Sequence, residues 1–144
     1  MITIKEISAS ETYPLRQEIL RKGSSLSVNF SGDCDSTTFH LGVYENNTLI
    51  AISSYIKTSN TLFPEAQYQL RGMATLPSVR GRGMAKHMVT HAIKILKSNN
   101  IATLWCNARE TAMGFYVKLG FTEVGAPFDI PSIGIHYCLQ KTLN

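Results

Sequence analysis

The run Val79-Arg80-Gly81-Arg82-Gly83-Met84-Ala85 joins a segment of strand character, Tyr68 to Leu76, to one with strong helical spacing, Arg82 to Lys97. A strand, a tight turn and a long amphipathic helix in succession demand a layered architecture in which the helix covers a sheet. The two glycines leave backbone N–H groups open at the helix start, with the positive end of the helix dipole behind them. Glycine also lets a phosphate approach closely, so the turn reads as an anion site and a diphosphate is its first candidate ligand.

Charge is gathered around the same place. From Ala66 through Arg109 there is no Asp or Glu, while Arg71, Arg80, Arg82, Lys86, Lys94, Lys97 and Arg109 all fall inside. The rest of the chain is net negative, so the overall +4 is a positive centre around the glycine turn and not a diffuse basic surface. Such a centre raises the local concentration of a polyanion. Lys94 and Lys97 are ordinary complements to a helix C-terminus.

At 144 residues and 44% hydrophobic content, the chain suits one globular domain, residues 1–144. Cys34, Cys106 and Cys138 form no C-x-x-C and have no metal-like spacing with the histidines, which points away from a disulfide framework or a metal site and toward the reduced cytoplasm. The start, Met-Ile-Thr-Ile-Lys-Glu-Ile, alternates as a first strand instead of reading as a signal, and no run approaches membrane-spanning length.

Ser10 can cap a helix running to about Arg21, with Pro14 in its first turn and Gly23 as its stop. Residues 24–36, rich in Ser, Gly, Asn and Asp, suggest an ordered surface loop or a short helix near a binding cleft, followed by two β-rich runs, Thr38 to Glu45 and Thr48 to Lys57, joined at Asn46-Asn47 as a hairpin. After the Tyr68–Leu76 strand and the central helix come a strand at Ile101 to Cys106, a helix at Glu110 to Leu119 stopped by Gly120, and strands at Phe121 to Gly125 and about Ile133 to Lys141. This order predicts an α/β (mixed α+β) fold, a mixed sheet with helices on its faces.

The glycine turn is neither a Walker loop, since no G-K-[ST] follows, nor the dinucleotide fingerprint, since the third glycine is absent. Arg80, Gly83 and Ala85 instead resemble the R-x-x-G-x-A pyrophosphate loop of the GNAT superfamily of acyl-CoA-dependent N-acyltransferases. The run from Asn107 to Phe121, through Ala112, Phe115, Tyr116, Lys118, Leu119 and Gly120, resembles that superfamily's segment ending A-x-x-F-Y-x-K-L-G-F. The resemblance implies a central, mostly antiparallel sheet flanked by helices and acetyl-CoA as acyl donor. It also implies backbone pairing of Met73 and Thr75 with the pantetheine arm, polarisation of the acyl carbonyl oxygen by a backbone N–H near Met73–Ala74, diphosphate binding by the amides of Arg80, Gly81, Arg82, Gly83, Met84 and Ala85, and a cofactor contact from Asn107. Tyr116 takes the role of general acid. Read from the residues alone, Tyr116 is equally a core aromatic at helical spacing with Ala112, Phe115 and Leu119. Chemistry favours the acid, because a leaving thiolate needs a proton and a phenol of pKa about 10 is matched to it.

Relatives often carry a Glu or His on the fourth strand, where this chain has Gln69 and Arg71, and neither can accept a proton. The candidate bases are then His40, His136, Glu110 and Asp129, with His136 and Glu110 ahead, or else a water relay. Period-two alternation places Gln69, Arg71, Met73 and Thr75 on one strand face. Arg71 and Arg109, with His136, suggest an acceptor bearing a carboxylate or phosphate beside its amine, unless either Arg pairs internally with Glu110 or Glu65. Cys106 is a poor candidate nucleophile, lying in a buried-type strand with no His nearby in sequence.

The expected function is acetyl transfer from acetyl-CoA to a primary amine of a small molecule or peptide by direct attack in a ternary complex, the protein being a monomer or homodimer. The alternative is a non-catalytic acyl-CoA-binding or regulatory module. Nucleic-acid binding is disfavoured, because the basic segment lacks interleaved aromatics and any nucleic-acid motif.

Overall fold

In the computed structural model, which describes residues 1–143, the asparagine pair Asn46-Asn47 adopts φ values of +48° and +69°. It turns strand β2 (Phe39–Glu45) back into β3 (Thr48–Thr58), as expected for a hairpin. Strand β1 (Ile2–Ile7) flanks β2, and β4 (Gln67–Thr75) lies antiparallel to β3. Strand β5 (Thr103–Arg109) follows β4 in parallel, and β8 (Gly134–Thr142) pairs with β5. Two short strands, β6 (Thr122–Glu123) and β7 (Phe128–Ile130), both pair with β8, and β7 has no counterpart in the sequence reading. The sheet order is β1-β2-β3-β4-β5-β8-β6, antiparallel except at β4 and β5. Among the described residues, no helix is long and apolar enough to cross a membrane.

Helices cover both faces. On one face lie α2 (Met84–Ser98) and α3 (Met113–Lys118). Val89, Ala92 and Leu96 of α2 meet Leu41, Leu70, Leu104 and Leu139 of the sheet, all buried, the valine and leucines each contributing about 1.5–3 kcal/mol by leaving water. On the other face α1 (Ala9–Leu15) sets Leu15 against Ile7, Ile52 and Ala74. Its N-cap is Ser8, not Ser10. The Ser8 N–H donates to Glu11 Oε1 at 2.9 Å and the Glu11 N–H donates to Ser8 Oγ at 3.3 Å, a reciprocal capping box that accounts for the earlier start. Pro14 therefore sits near the end of α1 and not in its first turn, and the chain widens directly after it into a π turn, Arg16–Leu20.

One irregularity in β4 reshapes the centre of the sheet. Against β3 the register runs from Arg71 opposite Ser54 to Ala74 opposite Ile52, so β4 carries one extra residue. Gly72, at φ +60°, stands at this bulge, and a Cβ there would lie 2.8 Å from the Phe30 ring. Only glycine meets both demands. The bulge overturns the expectation that Gln69, Arg71, Met73 and Thr75 share a face. Tyr68 and Leu70 face α2 before it, whereas Met73 faces α2 after it and Ala74 faces α1. Thr75, paired with Ala51 of the α2 side, faces α2 as well. Gln69 and Arg71 are thus turned to the α1 side, because one inserted residue inverts the alternation.

Candidate active site

Strands β4 and β5 pair only from Gln67–Gln69 to Thr103–Trp105. Beyond that they part, so that the facing edges of residues 70–75 and 106–109 have no ladder partner across the gap. The gap opens into a cavity of about 800 Å³ lined from both faces of the sheet, with Met73, Arg80 and Tyr116 as well as Arg71, Arg109 and His136 in its walls. Backbone edges left open in this way offer hydrogen bonds to an extended amide-bearing ligand, as an added strand would.

The glycine turn stands at the cavity's rim. Gly81 and Gly83 hold φ values of +80° and +81°, and Gly83 is the N-cap of α2. Helix α2 therefore begins at Met84, two residues later than expected, with no side-chain cap and no acid in its first turn. Its first N–H groups are left to a ligand. Arg80 Nε donates to the Thr75 carbonyl at 3.2 Å, bracing the turn on the end of β4. Arg82, by contrast, turns away and forms an ion pair with Glu45 of β2. Its charge is matched by that carboxylate, so only its backbone remains available to the turn.

On the α1 side the structure contains a cluster that sequence reasoning missed. Arg16 is fully buried. Its guanidinium donates to both carboxylate oxygens of Asp33 at 2.7 and 3.0 Å, to the Val28 carbonyl at 2.8 Å and to Ser54 Oγ at 2.9 Å. Burial pushes the Asp33 carboxyl up, but hydrogen bonds from Arg16 and the Phe30 N–H, with the Arg16 and His40 charges, outweigh it and leave the pKa below the ordinary value. The ion pair fixes loop 24–36 and with it Phe30, whose ring has the guanidinium carbons of Arg16, Arg71 and Arg21 at 3.8, 4.7 and 5.2 Å. The only sequence signal was an arginine interrupting an otherwise apolar helical stripe.

Neither Arg71 nor Arg109 forms an ion pair among the described residues, and Glu110 and Glu65 leave both free. Burial depresses the Arg71 pKa; Asp33 opposes this and Arg16 and Arg21 add to it. A guanidinium nonetheless stays charged at neutral pH. Arg21, Arg71, Arg80 and Arg109 all line the cavity, and no Asp or Glu does.

The β5 and β8 register sorts the remaining residues. Leu104, Cys106 and Ala108 lie in the α2-side core, so Asn107 and Arg109 project to the α1 side, and His136, directly opposite Arg109, projects with them. Asn107 is exposed and lines the cavity on the Arg109 side. Of the four candidate bases only His136 lines the cavity. His40 is buried with both ring nitrogens engaged, Nδ1 with Ser54 Oγ at 2.7 Å and Nε2 with the Asp33 carbonyl at 3.0 Å. Glu110 and Asp129 are exposed and outside the cavity lining.

Tyr116 of α3 lies on the cavity floor, 6% exposed, its ring edge-on to Phe115 and Phe121 at 5.0 and 5.3 Å. Burial first, then the neighbouring Cys106 and Tyr55, push its pKa well above the ordinary phenol value. The proton thus stays on the oxygen throughout the neutral and alkaline range. The Cys106 thiol is pushed up to about 12, chiefly by burial and then by Cys138, so it remains protonated and is no nucleophile.

Comparison with known proteins agrees with this geometry. Residues 4–121 match the family model of the acetyltransferase (GNAT) family. The chain is 42% identical over 146 residues to an uncharacterised N-acetyltransferase of Bacillus subtilis, covering 100% of this chain and 98% of that one. Among solved structures, Escherichia coli ElaA superposes with a TM-score of 0.82 at 15% identity, covering 98% of this chain and 99% of its own. An aminoglycoside 6'-N-acetyltransferase complexed with coenzyme A superposes with a TM-score of 0.80 at 13% identity, covering 99% and 97%.

Proposed function

The chain belongs to the GNAT acetyltransferase family, whose members take the acetyl group from acetyl-CoA, and on that premise we propose that it acetylates a primary amine of an acceptor that also carries a carboxylate or phosphate. The observation that carries this reading is the set of arginines in a cavity wall without a single acid. Arg71 is half-buried with no ion-pair partner among the described residues, and an anionic ligand offsets its desolvation while gaining bidentate hydrogen bonds.

In this reading the diphosphate of the donor rests on the amides of Gly81 through Ala85, because the Arg80 N–H, expected among them, instead donates to the Pro77 carbonyl at 3.3 Å, and the pantetheine arm pairs with the open edge of β4 at Met73, Ala74 and Thr75. The thioester carbonyl oxygen accepts from a backbone N–H near Met73–Ala74, a donor of a kind worth roughly 3 kcal/mol in other enzymes. Tyr116 supplies the proton to the departing sulfur. Its raised pKa suits the task because the burial that raises the phenol also raises the proton affinity of a thiolate beside it. The acceptor enters from the α1 side, where Arg71 and Arg109 hold its anion and Asn107 borders its path.

Release of free thiol from acetyl-CoA, measured with paired amines that differ only in bearing a carboxylate or its carboxamide, tests the acceptor class. The native chain should prefer the carboxylate. Arg71→Glu should raise KM for the carboxylate roughly 10- to 100-fold, the equivalent of a charged hydrogen bond lost, with little change for the carboxamide. An unchanged KM across both members of the pair would remove the anion from the reading.

A further inference from the structure

A primary amine with a pKa of about 10 is an ammonium ion at neutral pH, without the lone pair that attack on a thioester requires. Gln69 and Arg71 cannot relieve it of the proton. We propose that Nε2 of His136 is the general base that does so, an inference that rests on the cleft being the acetyl-transfer site described above.

The ring's own hydrogen bond makes it ready for this. His136 Nδ1 lies 2.8 Å from the Gly134 carbonyl, and a carbonyl only accepts, so Nδ1 carries the hydrogen. In the neutral ring Nε2 then holds the lone pair, and it has no partner among the described residues. The ring is 6% exposed yet lines the cavity, and its face is steadied by Phe128 of β7 at 6.1 Å. On its side of the sheet the charged groups that line the cavity are Arg109, its cross-strand neighbour on β5, and Arg71 on β4, with Arg21 beyond the π turn, while the Arg16–Asp33 ion pair lies outside the lining. Asp129 of β7 pairs with Ile135 and belongs to the opposite face. No carboxylate lines the cavity to compete for the role.

The proton account closes. Nε2 takes one proton from the ammonium, the freed nitrogen forms the N–C bond as the C–S bond breaks, and the sulfur receives the Tyr116 phenol proton. The nitrogen, cationic once bonded to the acyl carbon, gives up a second proton that restores the Tyr116 phenol, so the products are an amide, a thiol and one proton, which the imidazolium returns to solvent. His136 and Tyr116 line the cavity from opposite faces of the sheet, one to remove a proton and one to supply it.

Two acceptors separate this role from a structural one. 4-(Aminomethyl)benzoate carries an alkylamine that is protonated at neutral pH, whereas the arylamine of 4-aminobenzoate is already neutral. His136→Gln should lower kcat/KM for the first by roughly 10²-fold, the low end for general acid–base catalysis, and for the second far less, with CoA affinity and melting temperature unchanged. Equal losses for the two acceptors, or none for the first, would overturn the proposal. Independently of any acceptor, ¹H–¹⁵N NMR of the histidine rings should find neutral His136 protonated at Nδ1, and a proton at Nε2 would overturn it as well. Failure of the native chain to acetylate either benzoate would count against the acceptor class proposed above, and the tautomer alone would then decide for or against His136.

Discussion

Tyr116→Phe is expected to lower the turnover of acetyl transfer by about 10²- to 10⁴-fold, the range that a positioned acid contributes, while leaving the affinity for CoA close to that of the native chain. The substitution removes one oxygen and keeps the ring, so the edge-on contacts with Phe115 and Phe121 survive. Loss of the proton source leaves the thiolate to depart unprotonated from a buried site, which is where the rate falls. Because the phenol stays protonated well above the ordinary range, the native rate should show no alkaline decline from Tyr116 in the usual assay window. Steady-state thiol release and calorimetric CoA titration on the same preparations separate the two effects. Unaltered turnover would remove Tyr116 from the mechanism; a matching loss of CoA affinity would make it a binding residue.

The largest effect on stability is expected far from the thioester. Asp33→Ala strands a fully buried guanidinium, since Arg16 is 0% exposed and Asp33 supplies both oxygens that neutralise it. Breaking a buried pair from one side costs about 3–5 kcal/mol. Thermal or urea melts at neutral pH should register this. The double replacement Arg16→Met with Asp33→Leu should be milder than Asp33→Ala, because it leaves no charge uncompensated.

The same carboxylate sets an acid limit. Its pKa is lowered in the folded chain, so its contribution is complete above the unfolded value of about 3.9 and is lost as pH falls through the lower folded value. Asp33→Asn should therefore flatten that part of the native chain's decline in stability below about pH 4. A native chain whose stability is unchanged across that window would contradict the pairing. Because Asp33 also places Phe30 beneath Arg71, the weakened variants should lose selectivity for carboxylate-bearing amines under conditions where they remain folded.

The donor half of the site was legible in the sequence because its chemistry is local. Gly81 and Gly83 announce a positive-φ turn at a helix start, Asn46-Asn47 announces a hairpin, and Tyr116 stands within a contiguous motif. Ser8-x-x-Glu11 has the spacing of a capping box, a local signal that places the helix start ahead of Ser10. The acceptor half was less legible because it is assembled from distant segments. Apolar and polar residues alternate from Tyr68 to Arg71, and only Gly72 and the adjacent apolar pair Met73-Ala74 hint at the bulge that turns Arg71 away from Met73. Arg16 reads as a surface arginine until the π turn and Asp33, seventeen positions on, bring it inside. His136 stood level with Glu110 in sequence; cavity lining and the bond to Gly134 distinguish it, and both arise from the pairing of β8 with β5 and β7.

The central claim, that the parted edges of β4 and β5 hold the acetyl donor with its acceptor on the α1 side, is tested most directly by a crystal structure with acetyl-CoA. The expected result places the diphosphate oxygens within hydrogen-bonding distance of the amides from Gly81 to Ala85, the pantetheine along Met73–Thr75, and the sulfur against the Tyr116 hydroxyl. The acetyl group should point to the side of Arg71, Arg109 and His136. A diphosphate bound away from the glycine turn, or a thioester with Tyr116 out of its reach, would contradict the account.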